Sequence, residues 1–382
     1  MMEDGRRTSI LIEGNVIKGI GVADGAESDE VIDGEGLAIL PAFYNLHTHT
    51  AMNLLRGYAD DMPLQKWLTE YIWPFEGKMT ADDMAAGSRL AADEMVRTGT
   101  VGFYDMYFHM DGTARIASEA GMRAVVAETF FQHTIGTLDG YAGIMNGWNS
   151  RSDGRVRMAV APHAIYTNTT ESLKTAARVA RDNGALINIH VSETKEEVEN
   201  CVRSTGMTPV RYLDSIGLLG PDVTAAHCVW LDREEWDIMA QRGVTVTHCP
   251  CSNMKLGSGR FPYRDAIASG VRLTLGTDGC ASNNNLDMRE EMKFAALLAK
   301  VDGDVECLPA AEILKWATRN GAEALGVDAG EIAEGKVADC ILVDVNDYRM
   351  QPCHNLISNW VYAASSDCIR MVICDGKVIF RK

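Results

Sequence analysis

Short apolar runs that stop at a polar residue recur along this chain. One ends in Leu46-His47-Thr48-His49, and Val156 to Pro162 ends at His163. Ala185 to Ile189 ends at His190, Val223 to Ala226 at His227, Val244 to Thr247 at His248, and Val271 to Thr277 at Asp278. The runs are short and rich in β-branched residues. Most are separated by a stretch of helical composition such as Glu171 to Asn183. Strands alternating with helices predict a parallel sheet with right-handed crossovers. In a closed (β/α)8 barrel the C-terminal strand ends open onto one mouth, and reactive residues collect there. The histidines and the aspartate fall at those ends. Residues two apart on a strand point the same way, so His47 and His49 face one cavity.

The two ends of the chain read differently. Thr8 to Ile12, Val16 to Val22 and Ala38 to Pro41 form short strands joined by turns. Ala338 to Val343, Ile369 to Ile373 and Lys377 to Phe380 do the same, and Asp375-Gly376 is a hairpin turn between the last two. Neither end is large enough to fold alone. The expected fold is therefore α/β: a (β/α)8 TIM-like barrel over 44–335, with a small β-sandwich assembled from 1–43 and 336–382. After the first barrel strand, the long amphipathic stretch Met52 to Met79 is expected to cover or line the mouth.

With 382 residues and 46% hydrophobic content, the chain has the size and make-up of one barrel plus a smaller module. A net charge of −17 disfavours DNA or RNA as a partner, since these need a basic face. No apolar stretch approaches membrane-spanning length, and the first residues lack the apolar segment of a secretion signal. Ten cysteines, several inside apolar runs, form no disulfide framework, and a reducing cytoplasm is the expected location. Cys249-Pro250-Cys251 has no second pair nearby and reads as packing. Homo-oligomer formation is left open.

Three neutral nitrogen donors and one carboxylate, from His47, His49, His190 and Asp278, make a metal site. Zn2+ suits it best, with Fe2+ as the alternative. A divalent ion with an open position brings water ionisation down to about pH 7. Glu193, just past His190, is placed to shuttle a proton. His227 is placed to steady the attacking oxygen, and His163 and Glu76 to orient substrate. A lone strand-end histidine is usually a satisfied polar group; their joint arrangement on successive runs is what points to chemistry. His248, followed at once by Cys249-Pro250, reads as a supporting residue.

With these residues in view, the chain resembles the amidohydrolase superfamily. More narrowly it resembles the 5-methylthioadenosine/S-adenosylhomocysteine deaminase group, which includes 5′-deoxyadenosine deaminases. The resemblance rests on N-L-H-T-H-T at Asn45 to Thr50, L-L-R-G-Y-A-D-D at Leu54 to Asp61 and W-P-F-E at Trp73 to Glu76. It continues in A-P-H at Ala161 to His163, H-V-S-E-T at His190 to Thr194 and A-A-H-C at Ala225 to Cys228. The segments His248 to Gly259 and Gly276 to Asn284 complete it. It implies a mononuclear metal held by His47, His49, His190 and Asp278, with Asp278 also taking the proton of the attacking water. It implies that Glu193 protonates a purine ring nitrogen, His227 polarises the hydroxide, Glu76 binds the ribose hydroxyls and His163 contacts the nucleoside. Trp67 and Ser282 match positions near the pocket.

The expected reaction is hydrolytic deamination of an adenine nucleoside to its inosine analogue and ammonia. The alternative is a deaminase or hydrolase of a free nucleobase or triazine-type heterocycle. Several relatives carry an arginine after the third strand, where this chain reads Ala127-Glu128-Thr129-Phe130-Phe131-Gln132-His133. Without that cation, and with a Phe-Phe pair instead, 5′-deoxyadenosine, 5-methylthioadenosine or adenosine is expected ahead of S-adenosylhomocysteine.

Overall fold

The computed structural model describes residues 1–2, 5–22, 27–151 and 153–382. Strands β1 (Ile10–Glu13) and β2 (Val16–Ile20) form an antiparallel ribbon, and β3 (Leu37–Pro41) leads through Ala42 into β4 (Phe43–His49). Then come β5 (Thr100–Tyr107), β6 (Arg123–Phe130), β7 (Val156–Pro162), β8 (Ile187–Val191), β9 (Val223–His227) and β10 (Thr245–His248). β11 (Arg272–Leu275) and β12 (Asp278–Gly279) are two pieces of one strand, and β13 (Cys340–Asp344), β14 (Ile369–Cys374) and β15 (Lys377–Arg381) end the chain.

The large sheet runs β11-β10-β9-β8-β7-β6-β5-β4-β12, and its pairings are parallel. Its two ends are consecutive pieces of one strand, so the order closes on itself as an eight-stranded barrel. The break between the pieces needs a glycine: a Cβ on Gly276 would lie 2.7 Å from the His47 carbonyl oxygen and 2.8 Å from Thr247 Cγ2. The barrel strands are buried almost throughout, as parallel strands covered by helices must be. The crossover helices are amphipathic. In Thr170–Asp182, capped by Thr169, the residues Leu173, Ala176, Ala177 and Ala180 line one buried face.

The terminal strands form an antiparallel sheet ordered β15-β14-β13-β3, and the β1-β2 ribbon packs over it around Ile39, Leu342, Met371 and Ile373. Ile17 N–H donates to Lys336 O at 2.9 Å and Ala338 N–H to Asn15 O at 2.8 Å, so both chain ends build one small sandwich. Asp375 and Gly376 both take positive φ, as the tight hairpin turn requires. A buried ionic knot joins sandwich to barrel. Arg123 donates to Asp339 at 2.7 Å and to Asp375 at 2.6 Å, and Tyr44 donates to Asp339. Among the described residues, no helix is long and apolar enough to cross a membrane.

Candidate active site

Every reactive side chain proposed from the strand-end pattern reaches the same mouth, apart from His248. His47 and His49 leave the end of β4 on one face; His190 leaves β8, His227 ends β9, and Asp278 opens β12. His49 Nε2 lies 3.1 Å from Asp278 Oδ1 and His47 Nε2 lies 3.7 Å from it. The rings of His47 and His190 are 4.9 Å apart, centre to centre. Two overlapping sets, His47 with His49 and Asp278, and His47 with His190 and His227, each bring one ligand atom per residue within 4.8 Å of the others. Spacing alone thus admits His227 as a ligand as well as His190.

These residues fit a divalent cation. His47 is fully buried, yet neither ring nitrogen has a hydrogen-bond partner, an arrangement costly unless something else takes the lone pair. Burial, reinforced by the neighbouring imidazoles, pushes the His47 and His190 imidazolium forms well down, leaving the neutral rings that ligate metals. Backbone carbonyls orient two of the rings: His49 Nδ1–H donates to Met106 O and His190 Nδ1–H to His163 O at 2.8 Å. Each ring then turns its Nε2 inward. Asp278 is held on its far oxygen, Oδ2, by the hydroxyls of Ser252 at 2.6 Å and Ser282 at 2.9 Å, which leaves Oδ1 toward the histidines. Burial opposes its ionisation, but the bond to His49 and the surrounding imidazoles hold the carboxyl well below the usual range.

The mouth is an open cleft, with about 590 Å³ of empty space counting the solvent at its rim. The Met52 to Met79 connection walls one side with Trp67, Leu68, Ile72, Trp73 and Glu76. His163, Tyr166, Phe108 and Phe131 also line the cleft, and the strand-end residues Glu193, His227 and Asp278 lie on the floor. Glu193 is buried, which raises its carboxyl pKa; Ser258 donates to Oε1 at 3.1 Å, and Oε2 lies 3.9 Å from His227 Nε2. Burial likewise raises the Glu76 carboxyl, and Tyr107 donates to its Oε1 at 2.6 Å. No Lys or Arg is among the described residues lining the cleft.

Two sequence expectations are adjusted by the packing. Ser282 does not line the cleft; it is buried behind Asp278 and bonded to it. Of the Phe-Phe pair only Phe131 faces the cleft, since alternation along β6 turns Phe130 into the core against Tyr141. The strand-end pattern does not flag four supporting residues: Tyr107 behind Glu76, Ser252 behind Asp278, Asn253 behind His227, and Glu197. The Glu197 carboxylate accepts the Ser192 N–H at 2.9 Å and the Glu193 N–H at 2.8 Å, fixing the loop that carries Glu193. Its signal was present as Thr194-x-x-Glu197, a capping-box pattern. Ser192, His227, Cys228 and Asp278 all take positive φ, so strained backbone concentrates at the strand ends bearing the site.

Residues 38–379 match the model of the amidohydrolase family. A 5′-deoxyadenosine deaminase of Methanothermobacter thermautotrophicus is 46% identical over 98% of this chain and 90% of its own length. A 5-methylthioadenosine/S-adenosylhomocysteine deaminase of Pelotomaculum thermopropionicum is 45% identical over 99% of this chain and 89% of its own. An adenosine deaminase from Xanthomonas campestris, solved with bound zinc, superposes with a TM-score of 0.93 at 35% identity, covering 97% of this chain and 88% of that one. Fold and sequence relationship agree: the chain belongs to the amidohydrolase family.

Proposed function

We propose that this protein hydrolytically deaminates an adenine nucleoside to the inosine analogue and ammonia, with 5′-deoxyadenosine, 5-methylthioadenosine or adenosine preferred to S-adenosylhomocysteine. The observation that carries the reading is the buried Glu193 carboxyl, 3.9 Å from His227 on the floor of a cleft that also holds the His–Asp cluster. The named activities of the 42–46% identical relatives support it. His47, His49, His190 and Asp278 would hold the metal, which we propose is zinc. Bound there, a divalent ion supplies Lewis acidity and lets water ionise near neutral pH.

The protein's own groups do the rest. Glu193, its pKa raised by burial, retains a proton to higher pH than an exposed glutamate and delivers it to the purine ring nitrogen beside C6. That protonation makes C6 electrophilic toward water. Asp278 Oδ1, held in the ionised form, accepts the proton of the attacking water and returns it to the departing amine. His227 orients the nucleophile. The Glu76 carboxylate, braced by Tyr107, binds the ribose hydroxyls, and His163 packs against the nucleoside. Trp67 closes the apolar wall, its indole N–H already committed to Ala59 O at 3.1 Å. Phe131 and Phe108, 6.0 Å apart and stacked, offer the 5′ end an aromatic surface, with no Lys or Arg among the described residues lining the cleft. A carboxylate-bearing 5′ group gains no ion pair there.

Ammonia release is the test, measured on 5′-deoxyadenosine, 5-methylthioadenosine, adenosine and S-adenosylhomocysteine with and without a chelator. Chelator-sensitive turnover of the first three is expected. Turnover confined to free bases would overturn the reading, and a clear preference for S-adenosylhomocysteine would remove its 5′ argument.

A further inference from the structure

Behind His227 runs a line of buried polar groups that the reaction outlined above does not use. His227 Nδ1 meets Asn253 Oδ1 at 2.9 Å, Asn253 Nδ2 lies 3.4 Å from His248 Nδ1, and His248 Nε2 meets Tyr263 Oη at 2.8 Å. All four side chains are shut away from solvent. His248 is clamped as well by stacking on Phe261, with ring centres 4.1 Å apart. Asn253 sits on the helix Pro250–Lys255, its backbone tied to Cys249 O at 3.0 Å and to Ser258 N–H at 2.9 Å. A core histidine that merely fills space needs its nitrogens satisfied; it does not need to sit one amide away from a residue on the reaction floor.

With the Asn253 amide turned so that Oδ1 faces His227 and Nδ2 faces His248, the protons follow one after another. A carbonyl oxygen cannot donate, so the proton between His227 and Asn253 belongs to His227 Nδ1. An amide nitrogen cannot accept, so His248 Nδ1 is bare and its single proton is on Nε2, donated to Tyr263 Oη. Burial keeps His248 neutral, pushing it down to about 3, which limits the ring to that one proton. Turning the Asn253 amide over would reverse every assignment and put the His227 proton on Nε2. The amide orientation therefore decides which nitrogen faces the cleft.

We propose that Asn253 and His248 are positioning residues that lock His227 as the Nδ1–H tautomer, presenting a bare Nε2 to the reaction centre beside Glu193. A bare Nε2 accepts a hydrogen bond from the attacking water and leaves the oxygen lone pair free for the purine carbon. An Nε2–H would instead compete for that lone pair. The consequence for rate rests on the proposed deamination; the tautomer itself does not.

Nitrogen-15 NMR of the histidine side chains in the full-length protein reads the tautomer directly, with zinc and after chelation. Wild type is expected to show His227 protonated on Nδ1; Asn253→Leu and His248→Phe are expected to show a mixture. Asn253→Asp keeps the acceptor and is expected to keep the Nδ1–H form. In kinetics, Asn253→Leu is expected to lower kcat roughly 10–100-fold with KM and metal content unchanged, and Asn253→Asp to recover most of that loss. A wild-type Nε2–H signal overturns the proposal. So does an Asn253→Leu variant with wild-type kcat, or an Asn253→Asp variant that falls as far as Asn253→Leu. If wild type deaminates no adenine nucleoside, the functional reading fails on its own, and the NMR spectrum still decides the tautomer.

Discussion

Tyr107→Phe removes one hydroxyl from the wall of the cleft and leaves the ring. That hydroxyl donates to Glu76 Oε1 at 2.6 Å, the one donor that the described residues give this carboxylate. A hydrogen bond to a charged group contributes about 1.5–3 kcal/mol, and 1.4 kcal/mol is a factor of ten. If about half of the bond's worth is spent on holding Glu76 toward the ribose hydroxyls, KM for a nucleoside rises roughly 3–10-fold. The reacting carbon is elsewhere, so kcat is expected to hold. The pH dependence has a definite sign. Burial already raises the Glu76 carboxyl, and the Tyr107 bond opposes that rise. Without it the carboxyl protonates at higher pH, so the loss of nucleoside affinity deepens as pH falls. Initial rates against nucleoside concentration at several pH values measure this. A fall in kcat with KM unchanged, or a KM defect that shrinks toward acid pH, would refute the reasoning.

Three more outcomes are expected. Asp278→Asn, or exhaustive chelation of wild type, abolishes ammonia release, and added Zn2+ restores only the chelated wild type; restoration of the variant to wild-type rate would sink the role given to Asp278. Phe131→Arg supplies the absent cation, so kcat/KM for S-adenosylhomocysteine rises relative to 5-methylthioadenosine; an unchanged ratio counts against the cleft's 5′ wall being there. Asp339→Asn weakens the buried partner of Arg123 and costs on the order of 3–5 kcal/mol, lowering the urea midpoint while the folded fraction keeps its kcat, because the knot sits where β6 begins, at the foot of the barrel.

Local pattern was enough for the barrel and for most of its mouth. A run of apolar β-branched residues ending at His190 or His227 carries both its strand identity and its reactive side chain in one short window. The hairpin at Asp375-Gly376 is legible for the same reason, since its turn chemistry is contiguous. β5 and β6 were harder to read, because they are just as buried but end at Tyr107 and Phe130, which no reactive-residue pattern flags. The run from Val271 to Asp278 read as one strand, whereas close approach to His47 and Thr247 breaks it at Gly276.

By itself the sequence determined which residues are hydrophobic strands, which polar groups end them, and which chemistry those groups can do. Only the tertiary structure decided how those groups are held. Tyr107 behind Glu76, Ser252 behind Asp278, and Asn253 with His248 behind His227 are contacts between segments as much as 31 residues apart. The physical reason is that a strand-end side chain is specified by its own neighbours in the chain. The hydroxyl or amide that orients it comes from whichever element the closed barrel brings alongside, and no local periodicity records that.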